Sequence, residues 1–235
     1  MNEAMNEAMN ELGDPAGNAT DASAIAAEIV REYGPFAGAD RVHGVTHDGS
    51  RVWAATGEQL VAFDPRSGEP TRTLRQPCDA GTTFDGVYLY QIAESRIDKI
   101  DPSTGDVVGT IPAPGGGCDS GLAWAEGSLW VGQYRDRRIC QVDPATDSII
   151  RIIESNRFVT GVTWVDGELW HGTWEGDDSE IRRIDPQSGK VLERVAMPAG
   201  TGVSGLESDG ADLFYCGGGA SGTVRAVRRP RSRRG

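Results

Sequence analysis

The sequence has no run approaching the ~18 consecutive apolar residues of a membrane helix, so no membrane span is expected. Its first residues, Met1 to Leu12, lack the basic start and apolar stretch of a secretory signal. Positive charge is in deficit: 23 Lys and Arg face 35 Asp and Glu, a net charge of −12. That balance argues against nucleic acid as the main partner. The basic C-terminus, Arg225 to Gly235, is the local exception and reads as a solvated tail. Cysteine is scarce, with four in 235 residues. In an intracellular chain these are free thiols or ligands more often than disulfides. The 3.6-residue period of a coiled or helical solenoid is absent too. The expectation is a cytoplasmic, monomeric globular protein with neither membrane nor nucleic acid as partner.

Glycine is what the chain has in abundance, 32 residues, and it recurs in a pattern. In five units a glycine is followed nine residues later by a bulky aromatic, with an Asp-Gly or Glu-Gly turn between. The units are Gly44–Trp53, Gly81–Tyr90, Gly121–Trp130, Gly161–Trp170 and Gly205–Phe214. Each of the first four leads to a second motif, at Asp64-Pro65, Asp101-Pro102, Asp143-Pro144 and Asp185-Pro186. There Asp caps a hairpin turn, Pro presets φ, and the following Gly or Asp accepts a positive φ. Flanking segments such as Val107-Val-Gly-Thr-Ile111 and Ile149-Ile-Arg-Ile-Ile153 have the β-branched content of strands.

Each unit therefore reads as four short strands, and the repeat glycines are spaced by 37, 40, 40 and 44 residues. That is the period of a propeller blade. The fold expected is all-β: a five-bladed β-propeller over residues 28–229, with a 1–27 leader and a 230–235 tail. The leader carries a Met-Asn-Glu-Ala repeat and reads as disordered or partly helical. The fifth unit has no Asp-Pro turn and ends near Arg228. Its missing outer strand is expected upstream, because Ile29–Gly38 resembles Val191–Gly200, and an N-terminal strand there would close the ring.

In such a ring the tight turns share one face, and the longer loops surround the channel mouth on the other, where propellers carry function. The loops entering the innermost strands supply His43, Asp79, Asp119, Arg157 and Ser204. Second strands deliver Gln91, Gln133, Tyr134, His171, Trp174 and Glu175. Glu207 stands where the other units have Thr46, Thr83, Ala123 and Thr163, and an acid among Thr and Ala asks for a reason beyond packing. Glu175, beside Trp174 and near His171, is a local acid/base grouping suited to proton transfer. The catalytic candidates are thus Glu175, His171, Glu207 and His43. Trp174, Tyr134, Gln133, Asp119, Asp79, Gln91 and Arg157 are the substrate-binding candidates. Trp53, Trp130 and Trp170 are read as packing between blades. Cys140 and Cys216 read as buried core thiols, and Cys78 and Cys118 lack a metal-ligand spacing.

The unit Gly-Val-Thr-x-x-Asp-Gly-x-Leu-Trp, followed by Ile-Asp-Pro-x-Ser/Thr-Gly, resembles the glutaminyl cyclase (glutamine cyclotransferase) propellers. It is more distantly similar to the streptogramin (virginiamycin B) lyases, which have more blades. The resemblance implies five blades over residues 28–229 and acyl-transfer, lyase or hydrolase chemistry on a small molecule or short peptide. It leaves a divalent metal open as a cofactor, because the streptogramin lyases use one. In the cyclases an acid stands just before the second unit's glycine; here that position is Ala80, with Asp79 one step earlier. The expectation is a cyclotransferase-like or lyase-like propeller, not a standard glutaminyl cyclase. The alternative is a non-catalytic propeller that binds a peptide or metabolite.

Overall fold

The computed structural model describes residues 23–231. Two strands precede the repeat, β1 (Ile25–Ala26) and β2 (Ile29–Tyr33). The first blade is β3 (Gly44–His47), β4 (Val52–Ala55), β5 (Gly57–Phe63) and β6 (Pro70–Cys78). The second is β7 (Thr82–Phe84), β8 (Leu89–Ala93), β9 (Arg96–Ile100) and β10 (Val107–Pro112). The third is β11 (Asp119–Ala125), β12 (Ser128–Gln133), β13 (Arg138–Asp143) and β14 (Ser148–Glu154). The fourth is β15 (Val162–Val165), β16 (Glu168–Glu175), β17 (Asp178–Ile184) and β18 (Val191–Ala196). The fifth holds β19 (Leu206–Ser208), β20 (Leu213–Gly217) and β21 (Val224–Arg228).

Each blade is an antiparallel meander, and the innermost strands contact one another in a closed cycle, β3 to β7, β11, β15, β19 and back to β3. The N-terminal strand completes the fifth blade as expected: β2 pairs antiparallel with β21, Ile29 opposite Val227 and Tyr33 opposite Val224. The leader ends differently from its reading. Residues 1–22 lie outside the described part, but Ile25–Ala26 adds a parallel strand to the outer edge of β18. Backbone groups that an edge strand leaves unpaired favour such an addition. Of the tail, 232–235 lies outside the described residues. Among the described residues no helix is long and apolar enough to cross a membrane.

The Asp-Pro hairpins take the form their chemistry requires. Asp64 Oδ1 accepts from Arg66 N at 2.6 Å, Asp101 Oδ1 from Ser103 N at 2.7 Å and Asp185 Oδ1 from Ser188 N at 2.7 Å. The residue that closes each turn has positive φ, Gly68 at 84° and Asp147 at 59°.

Aromatic rings lock neighbouring blades. Tyr90 stacks on Trp124 of the next blade at 5.3 Å, and Trp130 on Trp164 at 5.1 Å. In the fifth blade the pairing slips by one residue, so Ser208, not Glu207, lies opposite Phe214, and Glu207 faces Tyr215. Tyr215 then makes the equivalent contact with His47 of the first blade, 5.9 Å between ring centroids. Phe214, the aromatic at the repeat spacing, packs back on Trp170 at 5.0 Å.

The repeat glycines form the narrowest part of the assembly. A Cβ on Gly44 would stand 2.5 Å from Ala80 O, one on Gly81 2.5 Å from Leu122 N, and one on Gly205 2.7 Å from Val45 N. Gly121 and Gly161 run closer still, against Thr160 O and Leu206 N. Backbone meets backbone around the whole ring, and no rotamer change can make room for a methyl group. Gly161→Ala is expected to cost about 3 kcal/mol and to lower the melting temperature by about 6–12 °C. Gly109→Ala is the control, because its Cβ would meet only the Lys99 side chain, at 3.8 Å or more, and should leave the midpoint nearly unchanged. Thermal denaturation of the two variants checks this; equal midpoints would show that the ring is not tight.

Candidate functional site

The residues just before the ring glycines, His43, Ala80, Ser120, Thr160 and Ser204, stand at the channel mouth. With Asp79, Asp119, Tyr134 and Trp174 they line a pocket of about 190 Å³. Five of the sequence candidates meet here: His43, Asp79, Asp119, Tyr134 and Trp174.

Trp174, at the end of β16, lies over Gly202 and Gly219, where any side chain would collide with the indole. Its Nε1 donates to Gly176 O at 3.1 Å. Tyr134 leads from β12 into the next loop, stacks on Phe158 at 4.6 Å, and donates from its hydroxyl to Trp174 O at 3.2 Å. The aromatic wall is therefore fixed by both packing and hydrogen bonds.

Asp119 is buried and held in place: its Oδ2 accepts from Gly115 N at 2.9 Å and its Oδ1 from Gln133 Nε2 at 3.1 Å. Burial raises its pKa above the ordinary aspartate value, although these donors pull the other way. His43 is half-buried, and burial lowers its pKa below the usual 6.5; Asp79 opposes this shift and Arg41 adds to it. The imidazole is thus neutral at neutral pH. Asp79 is exposed and accepts from Glu94 N at 3.2 Å.

Two candidates support the mouth from behind. Gln133 is buried, with Arg138 donating to its Oε1. Gln91 is also buried and donates to Ala80 O at 3.2 Å and Ile92 O at 2.7 Å, fixing the loop that carries Ala80.

Glu175 and Arg157 do not line the pocket but pair with each other, Nε to Oε2 at 2.7 Å, and Glu175 Oε1 accepts from Phe158 N at 2.9 Å. His171 is not brought to the mouth. It is fully buried within the fourth blade with Nδ1 3.0 Å from Gly172 O, and burial drives its pKa down to about 4. The grouping of Glu175, His171 and Glu207 around one proton-transfer centre is not formed.

Glu207 lies on the other side of the constriction, two residues past Gly205, about 7 Å along the strand at ~3.3 Å per residue. Its Oε2 accepts from Thr46 Oγ1 at 3.0 Å, its Oε1 from Thr163 Oγ1 and from Ser208 N at 2.9 Å. One carboxyl group thereby joins the fifth blade to both neighbours. Burial pushes its pKa up to about 7 against the pull of these three donors.

Sequence reasoning missed Thr160 and Ser120. Thr160 lines the pocket, and its buried Oγ1 has no hydrogen-bond partner among the described residues. Ser120 Oγ is spent on Val159 O at 2.8 Å. Their position directly before a repeat glycine was the available signal. The cysteines are all free; Cys78 is buried and Cys118 exposed, so the two do not face one centre in the same way. Among the described residues no group of three or more His, Cys, Asp or Glu side chains is arranged to hold a metal ion.

No protein-family model matches the chain, and no curated protein matches it. Among solved structures it is similar to the glutaminyl cyclase of Myxococcus xanthus, with a TM-score of 0.72 at 17% identity, covering 88% of this chain and 98% of that one. It is also similar to a chain of a mitotic checkpoint complex, with a TM-score of 0.51 at 14% identity, covering 81% of this chain and 62% of that one. At these identities the likeness is one of fold.

The environment of Glu207 predicts a stability change with pH. Its folded pKa of about 7 lies above its ordinary value of 4.5, so the native state holds its proton more tightly than the unfolded chain. The contribution is largest at low pH and is lost as pH rises through that window. Glu207→Gln keeps the shape and removes the ionisation. Its melting temperature should exceed that of the wild type at about pH 8 and approach it at about pH 5. A difference independent of pH would rule out this linkage.

Proposed function

We propose that the chain is an enzyme acting on a small molecule or the end of a short peptide at the channel mouth, by acyl-transfer, lyase or hydrolase chemistry. The observation that carries this reading is one small pocket holding His43, Asp119 and the unpartnered Thr160 hydroxyl behind the Trp174 and Tyr134 wall. These reactions need a group that takes a proton and another that returns it. The neutral imidazole of His43 is the base in this scheme, with Asp79 to steady the imidazolium it becomes. Asp119, whose pKa is raised by burial, is the acid, held by Gly115 N and Gln133. Thr160 offers a hydrogen bond to a polar atom of the substrate, and the aromatic wall excludes water from one side.

The likeness in fold to the Myxococcus glutaminyl cyclase makes N-terminal glutamine the first substrate to try, with ammonia release as the assay. Ala80 brings only a methyl group to the mouth, so any proton transfer must come from the other side chains of the pocket. A second reading, a binding module, takes its support from Asp119, whose carboxylate is already engaged by protein donors.

With a turned-over substrate, His43→Ala and Asp119→Asn should each lower kcat/KM by about 10²–10⁴. The acidic limb of the pH profile should fall below 6.5, because burial keeps His43 neutral to lower pH, and His43→Ala should remove that limb. Full activity in both variants would overturn the site. A ligand that raises the melting temperature and is recovered unchanged would favour the binding module.

A further inference from the structure

Radially outside His43 lies a second and larger pocket of about 840 Å³. This is within the range of about 300–1,000 Å³ found for small-molecule sites. Three segments distant in sequence wall it: residues 37–43 before β3, residues 56–59 at the start of β5, and residues 75–77 of β6. Hydrogen bonds hold these walls in place. Gln59 Nε2 donates to Ala37 O at 3.2 Å, and Gln76 Nε2 donates to Gly105 O at 2.6 Å. His43 lines this pocket as well as the mouth, so its imidazole is the partition between them.

Charges of both signs ring the outer pocket. Several arginines elsewhere are ion-paired, Arg51 with Asp48, Arg157 with Glu175, Arg183 with Glu168 and Arg225 with Glu32. Asp40, Arg41, Glu58 and Arg75 all line the outer pocket, and none has a side-chain hydrogen bond or ion pair among the described residues. Two free charges of each sign around one polar cavity are the complement of a ligand that carries both. A carboxylate can be gripped by two guanidinium groups through charge-assisted hydrogen bonds, and an ammonium by two carboxylates.

We propose that the outer pocket binds a dipolar small molecule, one with an ammonium and a carboxylate several bonds apart. Arg41 and Arg75 take the carboxylate, and Asp40 and Glu58 take the ammonium. The inference rests on the mouth as the working site in one respect: it makes the outer pocket the seat of the ligand's non-reacting end. His43 then touches both halves of the ligand, and occupancy of the outer pocket changes the field at its imidazole. Arg41 already acts on that ring, after burial and Asp79.

The test is a titration of the full chain with ε-aminocaproate, followed by the NMR resonance of the His43 imidazole, assigned with His43→Gln. Caproate and hexylamine, at matched ionic strength, carry one charge each. The dipolar probe should shift the resonance and saturate, while the two singly charged probes should not. Arg75→Ala and Glu58→Gln should each weaken the dipolar probe about tenfold, the loss of one charge-assisted contact. Equal responses to all three probes, no response to any, or unchanged titration in both variants would overturn the proposal. The titration reads binding alone. Its failure leaves the ammonia assay standing, and a silent ammonia assay leaves the titration standing.

Discussion

Five backbones meet around the channel axis with no room for a side chain between them. Gly44, Gly81, Gly121, Gly161 and Gly205 each face the backbone of the next innermost strand. Everything else takes its position from this contact. With the inner strands pressed together, the blades splay outward and leave wedge-shaped gaps, which the rings Tyr90 and Trp124, Trp130 and Trp164, and Trp170 and Phe214 fill. Burial of such rings is a large apolar contribution, and their stacking adds about 0.5–1.5 kcal/mol per pair. The glycines are thus a steric requirement and the aromatics its consequence.

The same constriction divides the channel. On one side stand the residues that precede each glycine, facing the loops and the aromatic wall. On the other stand the residues two positions later, among them Glu207. A carboxyl in that half is enclosed by the inner strands and spans Thr46 and Thr163. It serves the blade in which the pairing slips by a residue and which the N-terminal strand completes. Glu207 is tied to the closure of the ring, and the mouth is left to His43, Asp79, Asp119 and Thr160.

Much of this was legible beforehand because the repeat states its own geometry. Five glycine-to-aromatic units imply five blades, and the likeness of Ile29–Gly38 to Val191–Gly200 located the closing strand. Position relative to the repeat also sent Tyr134 and Trp174 to the mouth, four residues beyond their blades' packing aromatics. His171 was not readable in this way. Successive strand residues point to opposite faces, and in a blade both faces are covered by neighbours, so composition does not say which face turns toward the mouth. Glu175 was placed beside the aromatic wall by sequence proximity alone, while its partner Arg157 comes from a separate loop.

The propeller is a matter of local chemistry: turns, β-branched strands and a glycine wherever backbones must touch. Those determinants are written within each unit of some 40 residues, and sequence by itself determined them. The pockets were decided only by tertiary structure. The mouth draws on all five blades, and the outer pocket joins residues 37–43, 56–59 and 75–77. Which side chains share a cavity, and on which side of the glycine ring, depends on distances between blades that no single unit contains.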